Sequence, residues 1–202
     1  ISGTFKILPW FTVTKPVLNE RVPVNPQLLP PAFAPYTITW DRHGNNPYVR
    51  LYYSLDGFAG PGTLVNETVP EGPDGPDPDT LPDNDGVVIN DGSFDWQPPD
   101  LTQLSTGPVN TAKVRVAYDV QPVNAETSYK DSDPFKLVAG FAVTSPSSTS
   151  RWKVTSAQNI QWVCSSANVP TVRIEYSKDD GATYVVPAID ATLNNNVGAA
   201  GA

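Results

Sequence analysis

Apolar and polar positions alternate along the chain with a period of two, the spacing that puts one face of a β-strand on a core and the other in water. Residues 36–40 carry apolar side chains at every second position, and the pattern recurs in residues 49–54 and 113–120. A shorter run, residues 94–96, ends before two prolines, which cannot donate to a ladder. These four segments predict strands.

No window of helical length carries a helical apolar stripe free of Pro and Gly, and the strands recur between turn-rich segments. The sequence therefore predicts an all-β chain built as an antiparallel sandwich, with essentially no long helix. The inner faces of two sheets form the core of such a fold. The side chains expected to meet there are Trp40, Tyr53, Trp96 and Val116. Cys164 lies on the apolar parity of its segment and is expected to be a buried, inert thiol.

An internal repeat organises the chain. Residues 5–14, FKILPWFTVT, reappear as FKLVAGFAVT at residues 135–144. The segments 38–40 and 49–54 also recur, 122 and 123 positions later. Repetition of several segments in the same order indicates that one structural unit occurs more than once, and the shorter offset marks a deletion in the first loop of the second copy.

The repeat divides the chain into three parts. Residues 1–8 match the last strand of a preceding unit, residues 9–138 form a complete unit with an acidic insertion at 70–91, and residues 139–202 form the first half of a second unit. Counterparts of the later strands are absent from this second part, so half of its inner face has no partner in this chain. Its end, residues 194–202, is of low complexity, and we assign it no structure.

The order of motifs resembles a known family. Trp40 and Trp162 each end a strand, a Val-Arg-x-Tyr-x-Ser type of strand and an Asp-Gly hairpin follow, and Phe-x-Trp and Val-Arg-Val strands come later. This order is similar to that of the fibronectin-type-III and immunoglobulin-like modules strung along large bacterial surface and secreted proteins. The resemblance implies tandem Ig-like sandwiches, one complete and one partial, in an extracellular, secreted or cell-surface protein. Ala112 departs from it, because a tyrosine corner would place a tyrosine there.

Composition and charge exclude several classes of function. The chain has 13 Lys and Arg against 21 Asp and Glu, a net charge of −8, so a phosphate backbone would be repelled and nucleic acid is not an expected partner. One histidine and one cysteine provide neither a histidine cluster nor an internal disulfide. The apolar runs are far shorter than the about 18 residues of a membrane-spanning helix. His43 lies in a polar turn without an assigned role, and no convergent pair of carboxylates is evident, so we do not expect an enzyme.

The acidic insertion is the only segment that suggests a cofactor. Calcium takes six to eight oxygen ligands, and alternating carboxylates and amides among Pro and Gly resemble part of a calcium loop. The candidate ligands are Asp83, Asp85, Asn90 and Asp91. The register is imperfect, since Leu81 stands where a carboxylate is needed, and a solvated acidic loop is the alternative.

Residues 177–184, SKDDGATY, fit the Asp-box pattern Ser-x-Asp-x-Gly-x-Thr-aromatic of sialidase-like propellers. We expect a structural hairpin turn there, because Asp and Gly supply the side-chain hydrogen bonds and the positive φ that tight turns require. Residues 54–57 keep only the first half of the pattern.

The leading hypothesis is a non-catalytic structural module of an extracellular scaffold, layer or filament whose units join end to end. Phe5 and Ile7 lie in a strand with no unit to close, so we predict that they insert into the incomplete second unit of another copy. If further repeats precede the strand, it closes the upstream unit of its own chain instead. The rivals are a glycan- or surface-binding module, with Trp10, Trp152 and Tyr52 as an aromatic platform, and a non-catalytic appendage of a secreted hydrolase.

Overall fold

The protein is an all-β chain of antiparallel sheets in the part that the computed structural model describes. The described residues are 7–25, 35–65, 87–118, 128–153, 156–185 and 193–194. They contain no α-helix, and their helical structure is one 3₁₀ turn at Thr102–Ser105. No helix in these ranges is long and apolar enough to cross a membrane. The all-β class and the absence of a long helix there confirm the period-two prediction.

The described residues form fourteen β-strands. In chain order these are β1 (Trp10–Lys15), β2 (Arg21–Pro23), β3 (Tyr36–His43), β4 (Tyr48–Ser54), β5 (Thr63–Leu64), β6 (Val87–Ile89), β7 (Ser93–Trp96), β8 (Val109–Tyr118), β9 (Tyr129–Asp131), β10 (Phe135–Val138), β11 (Phe141–Ser145), β12 (Gln161–Cys164), β13 (Thr171–Val172) and β14 (Leu193–Asn194). Each of the four segments predicted from the alternation falls on one of them: β3, β4, β7 or β8. Asn194, to which the sequence analysis assigned no structure, pairs with Thr171, because ladder hydrogen bonds join backbones and need no apolar pattern.

Two sheets contain the first ten strands. One has the order β1-β3-β7, and the other has the order β2-β10-β8-β4-β5, with β6 added along β4 and β9 along β8. The ring of Trp96 on β7 lies 5.4 Å from Tyr53 on β4 and 6.3 Å, edge-on, from Phe135 on β10, measured between ring centroids. These aromatic contacts join the two sheets, and the core lies between them.

The predicted core residues are buried with one exception. Trp40, Trp96 and Val116 are all buried, and so is Cys164 in its own segment. Tyr53 is only half-buried, as is common for a ring that carries a hydroxyl. The alternation of the strands therefore identified the inner face correctly.

The two copies of the first strand pair have the same register. Val13 of β1 lies opposite Trp40 of β3, and Val143 of β11 lies opposite Trp162 of β12. In both pairs the register shifts directly after the valine. The residues that match in sequence at offsets of 130 and 122 therefore occupy matching places in the ladder.

The described residues divide into two compact units. The first comes from Ile1–Val22, Pro35–Pro98 and Val109–Leu137, and the second from Pro23–Ala34, Pro99–Pro108 and Val138–Ala202. In the second unit the carboxylate of Asp100 accepts hydrogen bonds from Ser166 Oγ at 2.5 Å and from the Ala167 amide at 3.0 Å. Burial alone would raise the pKa of the Asp100 carboxyl, but these hydrogen bonds outweigh it and hold the pKa below its ordinary value. A loop from within the first repeat thus belongs to the unit that contains the second.

Candidate functional site

An open apolar face is the main surface feature of the second unit. Phe11 and Ile38 are 3% and 0% exposed in the first unit, whereas their counterparts Phe141 and Ile160 are 49% and 39% exposed. Val143, two residues along β11 from Phe141, is 64% exposed. In the first unit Phe11 and Ile38 are buried and Val13, the counterpart of Val143, is half-buried, so the second unit exposes apolar positions that the first unit covers wholly or in part. We call Phe141, Val143 and Ile160 the open face.

A second segment of the same unit is also exposed, and its counterpart in the first unit is an edge strand. By the 130-residue offset, Val22 of β2 corresponds to Trp152, and its neighbour Arg21 corresponds to Arg151. Val22 is fully buried beside β10, whereas Trp152 is 43% exposed and Arg151 is also exposed. Residues 151–153 form no strand, unlike their counterparts in β2. We call residues 151–153 the acceptor edge.

The predicted assembly residues are described only in part. Phe5 lies outside the described residues. Ile7 is 86% exposed, and the next residue, Leu8, is exposed as well. Removing apolar surface from water is favourable by about 25 cal/mol for each Å². Docking of this segment against another apolar surface would therefore be stabilising.

Each copy contains the same serine–aspartate turn. In the second unit Ser177 Oγ donates to Asp179 Oδ1 at 2.7 Å and accepts from the Gly181 amide at 2.7 Å. In the first unit Ser54 Oγ donates to Asp56 Oδ1 at 2.5 Å and likewise accepts a hydrogen bond from a backbone amide four residues on. Tyr176 and Val185 pair across the second turn, so the predicted hairpin is confirmed.

The complete Asp-box pattern adds a further contact. Thr183 donates to the carboxylate of Asp179 through its hydroxyl at 2.5 Å and through its amide at 2.8 Å. The Thr183 side chain, followed by Ser177, lowers the pKa of Asp179 to about 2. The carboxylate is therefore ionised at any neutral pH and is held by donors of its own turn.

The proposed calcium ligands are not described as one cluster. Asp83 and Asp85 lie outside the described residues. The Asn90 side chain is fully buried: its Oδ1 accepts from Trp40 Nε1 at 2.8 Å, and its Nδ2 donates to the carbonyl of Asn46 at 2.9 Å. Asn90 thus supports the core tryptophan through its amide. Asp91 is exposed, and its Oδ1 accepts from the amide of Ser93 at 2.9 Å.

In the described ranges no group of three or more His, Cys, Asp or Glu side chains could hold a metal ion. The calcium hypothesis consequently rests on the sequence of the insertion alone.

An exposed aromatic stack was not foreseen in the sequence. The rings of Trp10 and His43 lie 3.6 Å apart at an angle of 4°. They meet because the antiparallel register places Trp10 directly opposite His43 on the outer side of β1 and β3. The sequence offered Trp10 as a platform residue but gave His43 no role, because the pairing of two strands that are distant in sequence is not evident from the residues alone. The other platform candidates, Trp152 and Tyr52, are exposed and half-buried respectively.

Arg115 forms a second unforeseen cluster. Its guanidinium lies 4.0 Å from the ring centroids of both Phe58 and Tyr129 and makes two hydrogen bonds to Asp131, at 2.6 and 3.0 Å. The hydrogen bond to Asp131 raises the pKa of Arg115. Cation–π contacts and a bidentate ion pair use the whole guanidinium, so this cluster holds β8 to β9.

Searches among protein-family models, curated proteins and solved structures found no match for this chain. A functional proposal must therefore start from the chain's own sequence and geometry.

Proposed function

We propose that this chain is a non-catalytic structural module of an extracellular or cell-surface scaffold, layer or filament, whose Ig-like units join end to end. The observation that carries the proposal is the contrast between two copies of one strand pair. The copies share residues and register, yet Phe11 and Ile38 are buried in one unit and their counterparts Phe141 and Ile160 are exposed in the other. Covering such exposed apolar side chains would remove them from water and stabilise the protein.

The sequence supports the role of an extracellular structural protein. Tandem repeats with short joints form stiff, elongated assemblies, because few residues are available to absorb rotation between units. A net charge of −8 favours solubility and disfavours nucleic acid. The resemblance to immunoglobulin-like and fibronectin-type-III modules points to the same setting.

Assembly is the property to test first. The purified chain should show a mass that rises with concentration in sedimentation or light scattering, and linear particles by negative-stain electron microscopy. A chain that remains an isolated particle at every concentration would contradict the scaffold proposal and favour the binding or appendage alternatives.

A glycan-binding function is the second candidate, and the Trp10 stack favours it. Exposed tryptophan faces bind sugar rings, and Trp10 is 56% exposed although it stacks on His43. The test is glycan-array binding of the chain and of Trp10→Ala, with Leu18→Ala as a control at another exposed apolar side chain. Binding that Trp10→Ala abolishes and Leu18→Ala retains would support this function, and an array without binding would remove it.

A further inference from the structure

The segment that could cover the open face is present in the chain itself. Residues 4–8, TFKIL, match residues 134–138, PFKLV, which include the whole of β10. Both segments place apolar side chains on alternate positions, with a lysine between them. The structure shows what such a strand does when it has a unit to close.

In the first unit β10 lies between β2 and β8 and is buried along one face. Phe135 and Leu137 are fully buried, and the Phe135 ring meets Trp96 of the opposite sheet edge-on. The amide of Lys136 donates to the carbonyl of Glu20 at 2.8 Å, just before β2. One strand thus supplies both backbone pairing to β2 and apolar side chains to the core.

The second unit offers the matching half of this arrangement. Its acceptor edge, residues 151–153, corresponds to β2, and its open face corresponds to the inner face opposite β10. The carbonyl that corresponds to Glu20 belongs to Ser150. The exposed Trp152 and Val143 mark the place that a strand of the β10 type would fill.

We infer that residues 4–8 of a second copy of this chain add a strand to the acceptor edge and lay Phe5 and Ile7 on the open face. The inference rests on the proposed scaffold function and identifies the contact that joins one copy of the chain to the next. Addition of an extended segment to an open sheet edge gains main-chain hydrogen bonds, and the alternate apolar side chains supply specificity. Because the donor segment and the acceptor face are different parts of the chain, the contact is head-to-tail, and each added copy leaves a donor and an acceptor for the next one.

Two full-length single variants test the joint, one on each side. Ile7→Asp damages the donor and leaves the acceptor intact, and Val143→Asp does the reverse. Both side chains are largely exposed, so neither substitution should change the stability of its own unit by much. Leu18→Asp is the matched control, an exposed apolar side chain outside both surfaces.

We expect each variant alone to self-associate at least about tenfold more weakly than the native chain by sedimentation velocity, which corresponds to about 1.4 kcal/mol. An equal mixture of the two should form dimers and nothing larger, because only the donor of Val143→Asp and the acceptor of Ile7→Asp remain to pair. The control should assemble as the native chain does.

Three results would overturn the inference. They are native-like assembly of Ile7→Asp, a mixture that stays monomeric, and loss of assembly in Leu18→Asp as well, since the effect would then follow from surface charge. The first result leaves the scaffold proposal standing with a different joint. A native chain that never self-associates overturns both.

Discussion

The two copies of one strand pair differ in burial and agree in almost everything else. Phe11 and Phe141 occupy equivalent places in β1 and β11, with the same partner register and the same shift after the following valine. The Phe11 side chain is buried, and the Phe141 side chain is about half exposed to solvent. The register of a strand pair thus follows from its own residues, whereas burial depends on which further strands lie opposite.

The serine–aspartate turns support the same distinction. Ser54 with Asp56 and Ser177 with Asp179 form equivalent hydrogen bonds, although one turn belongs to a closed unit and the other to an open one. Bonds within five residues need no help from the core. Local geometry is therefore shared by the two copies, and the burial of equivalent side chains is not.

The largest expected difference is the survival of whole segments in protease. We predict that limited digestion spares residues 40–96 and cuts within residues 139–202, because an open sheet face unfolds locally at low cost. Mass spectrometry of the trimmed product checks this. A product that keeps residues 152–184 and loses residues 40–96 would reverse the comparison.

Matched truncations measure the same difference at one position. Phe11→Ala should lower the free energy of unfolding by about 3–5 kcal/mol, the usual cost of emptying a core phenylalanine site. Phe141→Ala should cost about 1 kcal/mol or less, since half of that ring already meets water. Urea unfolding of the monomeric chain gives both values. Equal losses would show that the open face is covered in solution.

Calcium should distinguish the copies next, because only the first contains the acidic insertion. We predict that calcium, if it acts on this chain, acts through residues 74–91 and raises the melting temperature, with a stabilisation of about 2.7 kcal/mol at a hundredfold excess over Kd. Asp83→Asn with Asp85→Asn should remove the response. A melting temperature that is the same in calcium and in EDTA leaves a solvated acidic loop.

Asn90→Ala tests the support of the core tryptophan. The substitution removes both the acceptor for Trp40 Nε1 and the donor to the Asn46 carbonyl, and a buried polar group without a partner costs about 1–3 kcal/mol. We expect a loss in that range by urea unfolding, without calcium. Asn45→Ala, at an exposed neighbour, is the control. A loss no larger than that of the control would contradict the structural role of Asn90.

The smallest effect concerns acid. The pKa of Asp179 is about 2, below the roughly 3.9 of an unfolded aspartate, so its stabilising contribution is present above pH 4 and is lost as the pH falls through 2. Carboxyl NMR titration should show the pKa rising in Thr183→Val and in Ser177→Ala. Ser54→Ala should instead raise the pKa of Asp56, which its own serine lowers. No rise in Thr183→Val would contradict the assigned cause.

Sequence reasoning reached those features that depend on neighbours in the chain. Alternation located the strands, and a serine and an aspartate two residues apart located the turn. It failed where residues distant in sequence meet. The contact of Asn90 with Trp40 was not foreseen, because it depends on how two separate strands lie against each other. The stack of Trp10 on His43 and the enclosure of Arg115 between two rings depend on register in the same way.

The carboxylate of Asp100 bears on how such repeats can be inherited. It lies within the first sequence repeat and holds Ser166 and Ala167 in the second compact unit. A recombination event at the repeat boundary near residue 138 would transfer the second repeat without Asp100. The hydroxyl of Ser166 and the amide of Ala167 would then lose the carboxylate to which they donate. A segment that keeps these two hydrogen bonds has to include residues 99–108 together with the following repeat. The compact unit of this chain is therefore offset from the unit of sequence repetition.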